Sequence, residues 1–260
     1  MIWTLRDGAF AEGAAVPVTD RGFRYGMSVF ETIAVFEGRL LFWDEHLVRL
    51  HRAGAAAGFA VPEIPAFPRP PEKNGLLRIY VTAGDGAPSA PASAPRVFAL
   101  FDEAEFPSRA DRVRGRRLTL FRAPVAPVLG GWKTGCYWPQ VQAFAEARRA
   151  GFDEAVVSNP HGGVMSASMA NLFVVRDGRV LTPPTAEGAR DGVVRAWVKR
   201  RTAVEEIPLM VEDLETAEEC FLTNSRLGVV PVAEIEGRAL PSRATGERLA
   251  ASYGEEVLRQ

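Results

Sequence analysis

The spacing of apolar and polar positions divides these 260 residues into recognisable elements. Phe30–Phe36 and Arg39–Phe42 read as short strands, with Gly38 in the turn between them. Behind them Leu47, Leu50 and Ala57 recur at helical spacing. Asp44 is suited to an N-cap, so a helix is predicted over Asp44–Gly58. Leu76–Thr82 alternates: Leu77, Ile79 and Val81 share one face, and Arg78, Tyr80 and Thr82 share the other. Gly84–Pro95 has little to bury and reads as a loop before a strand at Arg96–Phe101. A polar stretch, Asp111–Arg117, precedes a strand at Leu118–Phe121. Pro124, Pro127, Gly130 and Gly131 then interrupt regular structure and form a candidate boundary region.

The later pattern predicts a helix over Trp138–Ala150 closed by Gly151, and strands at Glu154–Ser158 and Asn171–Val175. Arg179–Thr182 is a strand entered through an Asp177-Gly178 turn. Asp191–Arg201 reads as a helix, and Cys220–Thr223 and Val229–Ile235 as strands. This order predicts an α+β chain in two parts: an N-terminal α/β domain (1–117) and a C-terminal domain (118–260) that carries Lys133.

Charge narrows the chemistry. Basic and acidic residues nearly balance, 31 against 32, and no long basic run offers a nucleic-acid footprint. No apolar run is long enough for a membrane span, and the N-terminus lacks a signal-peptide pattern, so the expected setting is cytoplasmic. Neither the cysteines nor the scattered histidines have metal-ligand spacing, and no metal is expected. Only three basic residues are lysines: Lys73, Lys133 and Lys199. Arginine replaces lysine on most surfaces but cannot form a Schiff base. Lys73 lies in a turn-like polar segment, and Lys199 lies late in a helix. Lys133 stands among small and aromatic residues, in Gly130-Gly-Trp-Lys-Thr-Gly-Cys-Tyr-Trp. That setting can desolvate an amine and expose it as a nucleophile.

Several segments, in order along the chain, resemble the fold-type IV family of pyridoxal phosphate (PLP) enzymes. They are Asp20-Arg-Gly-Phe-Arg-Tyr-Gly-Met-Ser-Val-Phe-Glu-Thr, His46-Leu-Val-Arg-Leu, Lys133-Thr-Gly-Cys-Tyr, Met169-Ala-Asn-Leu-Phe, Asp191-Gly-Val-Val-Arg and Phe221-Leu-Thr-Asn-Ser-Arg-Leu-Gly. This set is similar to class IV aminotransferases, with aminodeoxychorismate lyases and branched-chain aminotransferases as its nearest members. The resemblance implies a two-domain, D-amino-acid aminotransferase-like fold and a homodimer. It implies PLP held as a Schiff base by Lys133. Arg49, the backbone at Val193 and Val194, and Ser225 would hold the phosphate, and Tyr137 would contact the phenolic oxygen. Glu31 and Thr32 would line or brace the site, and His46 would support the helix around Arg49.

Three positions depart from the family pattern. Ser166 stands where a glutamate faces the pyridine nitrogen, which weakens the ring as an electron sink. Ala83 stands where many members have a carboxylate-binding arginine, leaving Arg78, Arg24 and Arg226 as candidates for that task, with Thr32 also a substrate contact. Cys136 replaces a usual asparagine and is expected to be small and buried. The resemblance favours 4-amino-4-deoxychorismate lyase, giving 4-aminobenzoate and pyruvate on the route to folate. Transamination of branched-chain or related amino acids is the first alternative. A PLP- or ligand-binding protein with degraded catalysis is the second.

Overall fold

The computed structural model describes residues 1–67 and 72–259. The chain forms two compact units. The first is Met1–Phe106 with Trp132–Cys136, and the second is Pro107–Gly131 with the chain from Tyr137 on. The division falls after Phe106 rather than after residue 117, and the Lys133 segment belongs to the first unit. The reason lies in the pairing. Strand residues Arg116–Leu120 join the second sheet, whereas the Lys133 carbonyl accepts from the Phe30 amide of the first at 2.9 Å.

The first unit contains β1 (Ile2–Arg6), β2 (Ala9–Glu12), α1 (Arg21–Tyr25), β3 (Ser28–Phe36), β4 (Arg39–Leu40), α2 (Trp43–Ala56), β5 (Gly75–Thr82) and β6 (Arg96–Glu103). The six strands pair antiparallel in the order β2-β1-β6-β5-β3-β4. Leu77, Ile79 and Val81 of β5 pack in the core with Val29, Ile33 and Val35 of β3. Helix α2 covers this apolar face with Leu50 and Ala53. It starts at Trp43 behind Phe42, so Asp44 lies in the first turn and does not cap it. There its charge still suits the positive end of the helix.

The second unit contains α3 (Arg109–Arg114), β7 (Arg116–Leu120), α4 (Trp138–Arg149), β8 (Glu154–Ser158), β9 (Val164–Ala167), β10 (Asn171–Arg176), β11 (Arg179–Thr182), α5 (Val193–Lys199), β12 (Val204–Glu206), β13 (Glu219–Asn224), β14 (Gly228–Ile235), β15 (Arg238–Ala239) and α6 (Ala244–Tyr253). Its sheet runs β12-β11-β10-β13-β14-β7-β8-β9, with β15 on β14. The polar run before β7 is helix α3, capped reciprocally by Ser108 and Asp111. Phe173 and Phe221 stack in register across β10 and β13, with centroids 4.7 Å apart.

Leu50 is fully buried and anchors to the core of the first unit the helix that carries Arg49. Leu50→Ala is expected to cost about 2–5 kcal/mol in urea unfolding. The midpoint should fall without a change in slope.

Candidate active site

In the first unit the candidate residues gather around β3. Val29 and Ile33 point into the core, and Glu31 shares their side of the strand. Glu31 is buried to 1% exposure. Its carboxylate accepts a fork from Arg49, Nε at 2.6 Å and Nη2 at 2.5 Å, and a third bond from His46 Nδ1 at 2.8 Å. Burial alone would push the Glu31 carboxyl up. The Arg49 charge and hydrogen bonds, with those of His46, instead hold it well below the usual carboxylate range. An ionised carboxylate only accepts, so Nδ1 of His46 carries the proton. Burial drives the His46 pKa down against the opposing pull of Glu31, and the charges of Arg49 and Lys133 add to that fall. His46 is therefore neutral, and Arg49 is set by a buried ionic bond in one orientation.

Lys133 lies on the segment that borders the start of β3. The Phe30 amide donates to the Lys133 carbonyl, and the Gly135 amide donates to Ser28 O, each at 2.9 Å. Lys133 Nζ sits 4.1 Å from the centre of the Phe30 ring, which itself stacks on Tyr80 at 5.1 Å. The lysine is thus half-buried beside aromatic surface. Cys136 is exposed, contrary to the buried position expected for it. It ends the segment with its thiol directed at the Gly26 carbonyl, 3.7 Å away, and exposed.

Around β3 the substrate candidates have separate settings. Thr32 is half-buried on the face opposite Glu31. Arg78 is ion-paired with Asp102. Arg24 is exposed and, with Tyr25 and Asp85, lines an open cavity of about 530 Å³. The loop beside this cavity is held from beneath by Arg21. This arginine is fully buried and donates to the carbonyls of Ala83, Gly84, Ala87 and Ala90. Local sequence gave no sign of that clamp, because its partners are all backbone and lie more than 60 positions away.

In the second unit the starts of β10 and α5 and the end of β13 lie together. Asn171 pairs with Thr223 across the strands, and its Nδ2 donates to Arg190 O at 2.8 Å. Asn224 Nδ2 donates to Met169 O at 2.9 Å. Gly192 is packed so closely on Asn171 that a Cβ there would collide with its side chain. Val193 and Val194 follow in the first turn of α5, where backbone amides lack helical acceptors. Ser225 and exposed Arg226 follow β13. The Thr223 hydroxyl is buried without a hydrogen-bond partner. Tyr137 accepts from Arg190 Nη1 at 3.1 Å.

Ser166 lies half-buried on β9, paired with Val157. Nearby Glu154 is buried at the start of β8, where it accepts from the Ser168 hydroxyl and from the Met169 amide at 3.3 Å. Burial pushes its carboxyl up to about 7, against the opposing pull of the Ser168 and backbone hydrogen bonds.

Comparison with known proteins gives this arrangement a context. The sequence model of Amino-transferase class IV matches residues 28–235. The chain belongs to the class IV aminotransferase family. Members of this family are PLP-dependent enzymes, and its fold is fold-type IV. This class IV chain is 30% identical over 251 residues to the Methanocaldococcus jannaschii protein named "Putative branched-chain-amino-acid aminotransferase". That match covers 90% of this chain and 87% of the relative. Its identity to the aminodeoxychorismate lyase of Vibrio harveyi is 29%, covering 85% of this chain and 87% of the lyase. The structure of 4-amino-4-deoxychorismate lyase from Pseudomonas aeruginosa superposes with a TM-score of 0.85 at 25% identity. That superposition covers 99% of this chain and all of the lyase.

The donor set fits PLP. An amine beside aromatic rings suits an aldehyde, and the Arg49 charge, held in one orientation by Glu31, suits a phosphate dianion. The buried, unpartnered Thr223 hydroxyl lies where the second unit gathers further donors.

Two variants test the electrostatics. Glu31→Gln is expected to lower stability at pH 7 by about 3 kcal/mol or more, because it strips a partner from a buried pair. The folded-state pKa of Glu31 is depressed from 4.5, so its contribution is full above that value and is lost as pH falls through the lower folded value. Glu154 has the opposite sign. Its folded value of about 7 exceeds 4.5, so its ionisation erodes stability as pH rises between them. The erosion reaches about 3 kcal/mol. Glu154→Gln should flatten the stability profile between pH 5 and 8 in urea titrations.

Proposed function

We propose that this enzyme is a 4-amino-4-deoxychorismate lyase that releases 4-aminobenzoate and pyruvate. The single observation that carries this reading is Ser166, a half-buried neutral residue at the position proposed to meet the pyridine nitrogen. A hydroxyl cannot hold a pyridinium by charge, and the buried Glu154 is already engaged by Ser168 and Met169. Aminotransfer depends on a strongly stabilised carbanion. An elimination that creates an aromatic ring draws much of its driving force from the product. Full-length likeness to a lyase structure supports the same choice.

PLP, when bound, supplies an aldehyde for amine capture and a conjugated ring that delocalises electrons. Lys133 Nζ would hold it covalently until a substrate amine takes its place. The released lysine amine would then take the proton from the substrate's amine-bearing carbon. Departure of the enolpyruvyl oxygen with its bonding electrons would leave the six-membered ring aromatic. Arg49, the amides of Val193 and Val194, and the Ser225 hydroxyl would hold the phosphate, and Tyr137 the phenolic oxygen. Arg24, on its open cavity, is the preferred anchor for a substrate carboxylate, and Arg226 and Thr32 are the further candidates for substrate contact. Arg78 ranks lower, because Asp102 already takes its charge. A cytoplasmic homodimer on the route to folate completes the reading.

The test is an assay of purified, PLP-supplied enzyme with 4-amino-4-deoxychorismate. 4-Aminobenzoate should form with an equal amount of pyruvate. Lys133→Ala should lower the rate by about 10³-fold or more. Amino transfer from branched-chain amino acids to 2-oxoglutarate, without 4-aminobenzoate formation, would replace this reading with the transaminase one. The 30% identical relative is the observation that favours that alternative.

A further inference from the structure

Arg190 is an arginine of the second unit's site region with a side chain that the proposed function leaves without a task. It lies two residues before Gly192 and is half-buried. Its backbone is pinned, since Arg190 O accepts from both Asn171 Nδ2 and Gly192 N at 2.8 Å. Its side chain has no ion pair among the described residues. The nearby acids face other groups: Glu187 accepts from Asn159 at 2.6 Å, and Asp191 lies 3.8 Å from Arg195. Nε of Arg190 is buried without a hydrogen-bond partner. The guanidinium is instead committed to Tyr137. Nη1 donates to the phenol oxygen at 3.1 Å, and the guanidinium carbon lies 4.8 Å from the ring centre.

This contact has a fixed polarity. A guanidinium has five donors and no acceptor, so the Tyr137 oxygen must be the acceptor. That bond occupies an oxygen lone pair, so toward an anionic oxygen the hydroxyl can act only as a donor. A permanent charge behind the phenol also strengthens that donor, as in other charge-assisted bonds. An outgoing donor backed by a cation suits an anionic oxygen.

We propose that Arg190 is a positioning residue that fixes the Tyr137 hydroxyl as a donor to the phenolate oxygen of the cofactor and sets a positive charge behind it. This inference rests on the proposed contact between Tyr137 and that oxygen. It assigns Arg190 an electronic role, distinct from phosphate binding and from substrate recognition. Its signature is the proton affinity of the cofactor–lysine linkage. A stabilised phenolate and a nearby cation both make the linkage give up its proton more easily. Removing Arg190 therefore raises the pH at which that proton is lost.

The experiment is a spectrophotometric pH titration of the cofactor–lysine absorption band in the full-length, PLP-loaded protein, without substrate. Arg190→Leu removes the donor and charge at similar bulk, and its midpoint should rise by about one pH unit or more. Arg190→Lys, which keeps a cation and donors, should restore most of the shift. Tyr137→Phe should also raise the midpoint. If Arg190→Leu does not retain PLP, Arg190→Gln takes the same titration, with a rise again expected. An unchanged midpoint in the Arg190 variants, with a raised one in Tyr137→Phe, overturns the inference while leaving the reading of Tyr137 intact. An unchanged midpoint in every variant removes the Tyr137 contact, and the inference with it, while Lys133 retains its role. No cofactor–lysine band in the unaltered protein overturns the proposed function itself.

Discussion

The buried bond between Glu31 and Arg49 is the constraint on which the first unit's chemistry depends. A carboxylate with 1% exposure is costly to bury unless it is paired and both oxygens accept hydrogen bonds. Here two Arg49 nitrogens and His46 donate to both oxygens. The consequence reaches through the local fold. Strand β3 must place Glu31 on its core side, and α2 must present His46 and Arg49 three residues apart on one face. Leu50 must also hold that helix against the sheet. The same strand then borders the segment that presents Lys133. The Arg49 charge and the Lys133 backbone are thus both set from one strand.

The second unit uses a different device. Its donors are mainly backbone amides and hydroxyls, placed by side-chain amides that lock strand ends to neighbouring loops. Asn171 holds the turn before α5, and Asn224 holds the turn before β10. The close approach of Asn171 to Gly192 leaves no room for a side chain there. Such a framework would suit an anion without burying many opposing charges. Tyr137 and Arg190 add a polar pair to it.

Much of this was legible in the sequence. β8 and β11 match their predicted spans, because glycine-containing turns bound β8, and the Asp177-Gly178 turn and the prolines Pro183 and Pro184 bound β11. Asp177-Gly178 takes two positive φ angles, as its hairpin requires. The scarcity of lysine singles out Lys133, and the helical spacing behind Asp44 marks the helix that carries Arg49. Other features depend on contacts distant in sequence. Helix α3 was hidden because its charged residues carry no apolar period and only its capping pair marks it. The exposure of Cys136 follows from where its segment ends, which a residue type does not encode. Arg190 had no motif, and its partner lies 53 positions earlier. The domain line moved because the Lys133 segment returns to the first sheet after the chain has left it.

The central claim is that Lys133 is the residue to which PLP is covalently bound. Borohydride reduction of the PLP-loaded protein, followed by peptide mapping, tests it most directly. The account predicts a reduced pyridoxyl adduct on the peptide that contains Lys133, lost in Lys133→Ala, with none on Lys73 or Lys199. An adduct on another lysine, or none at all, would contradict it.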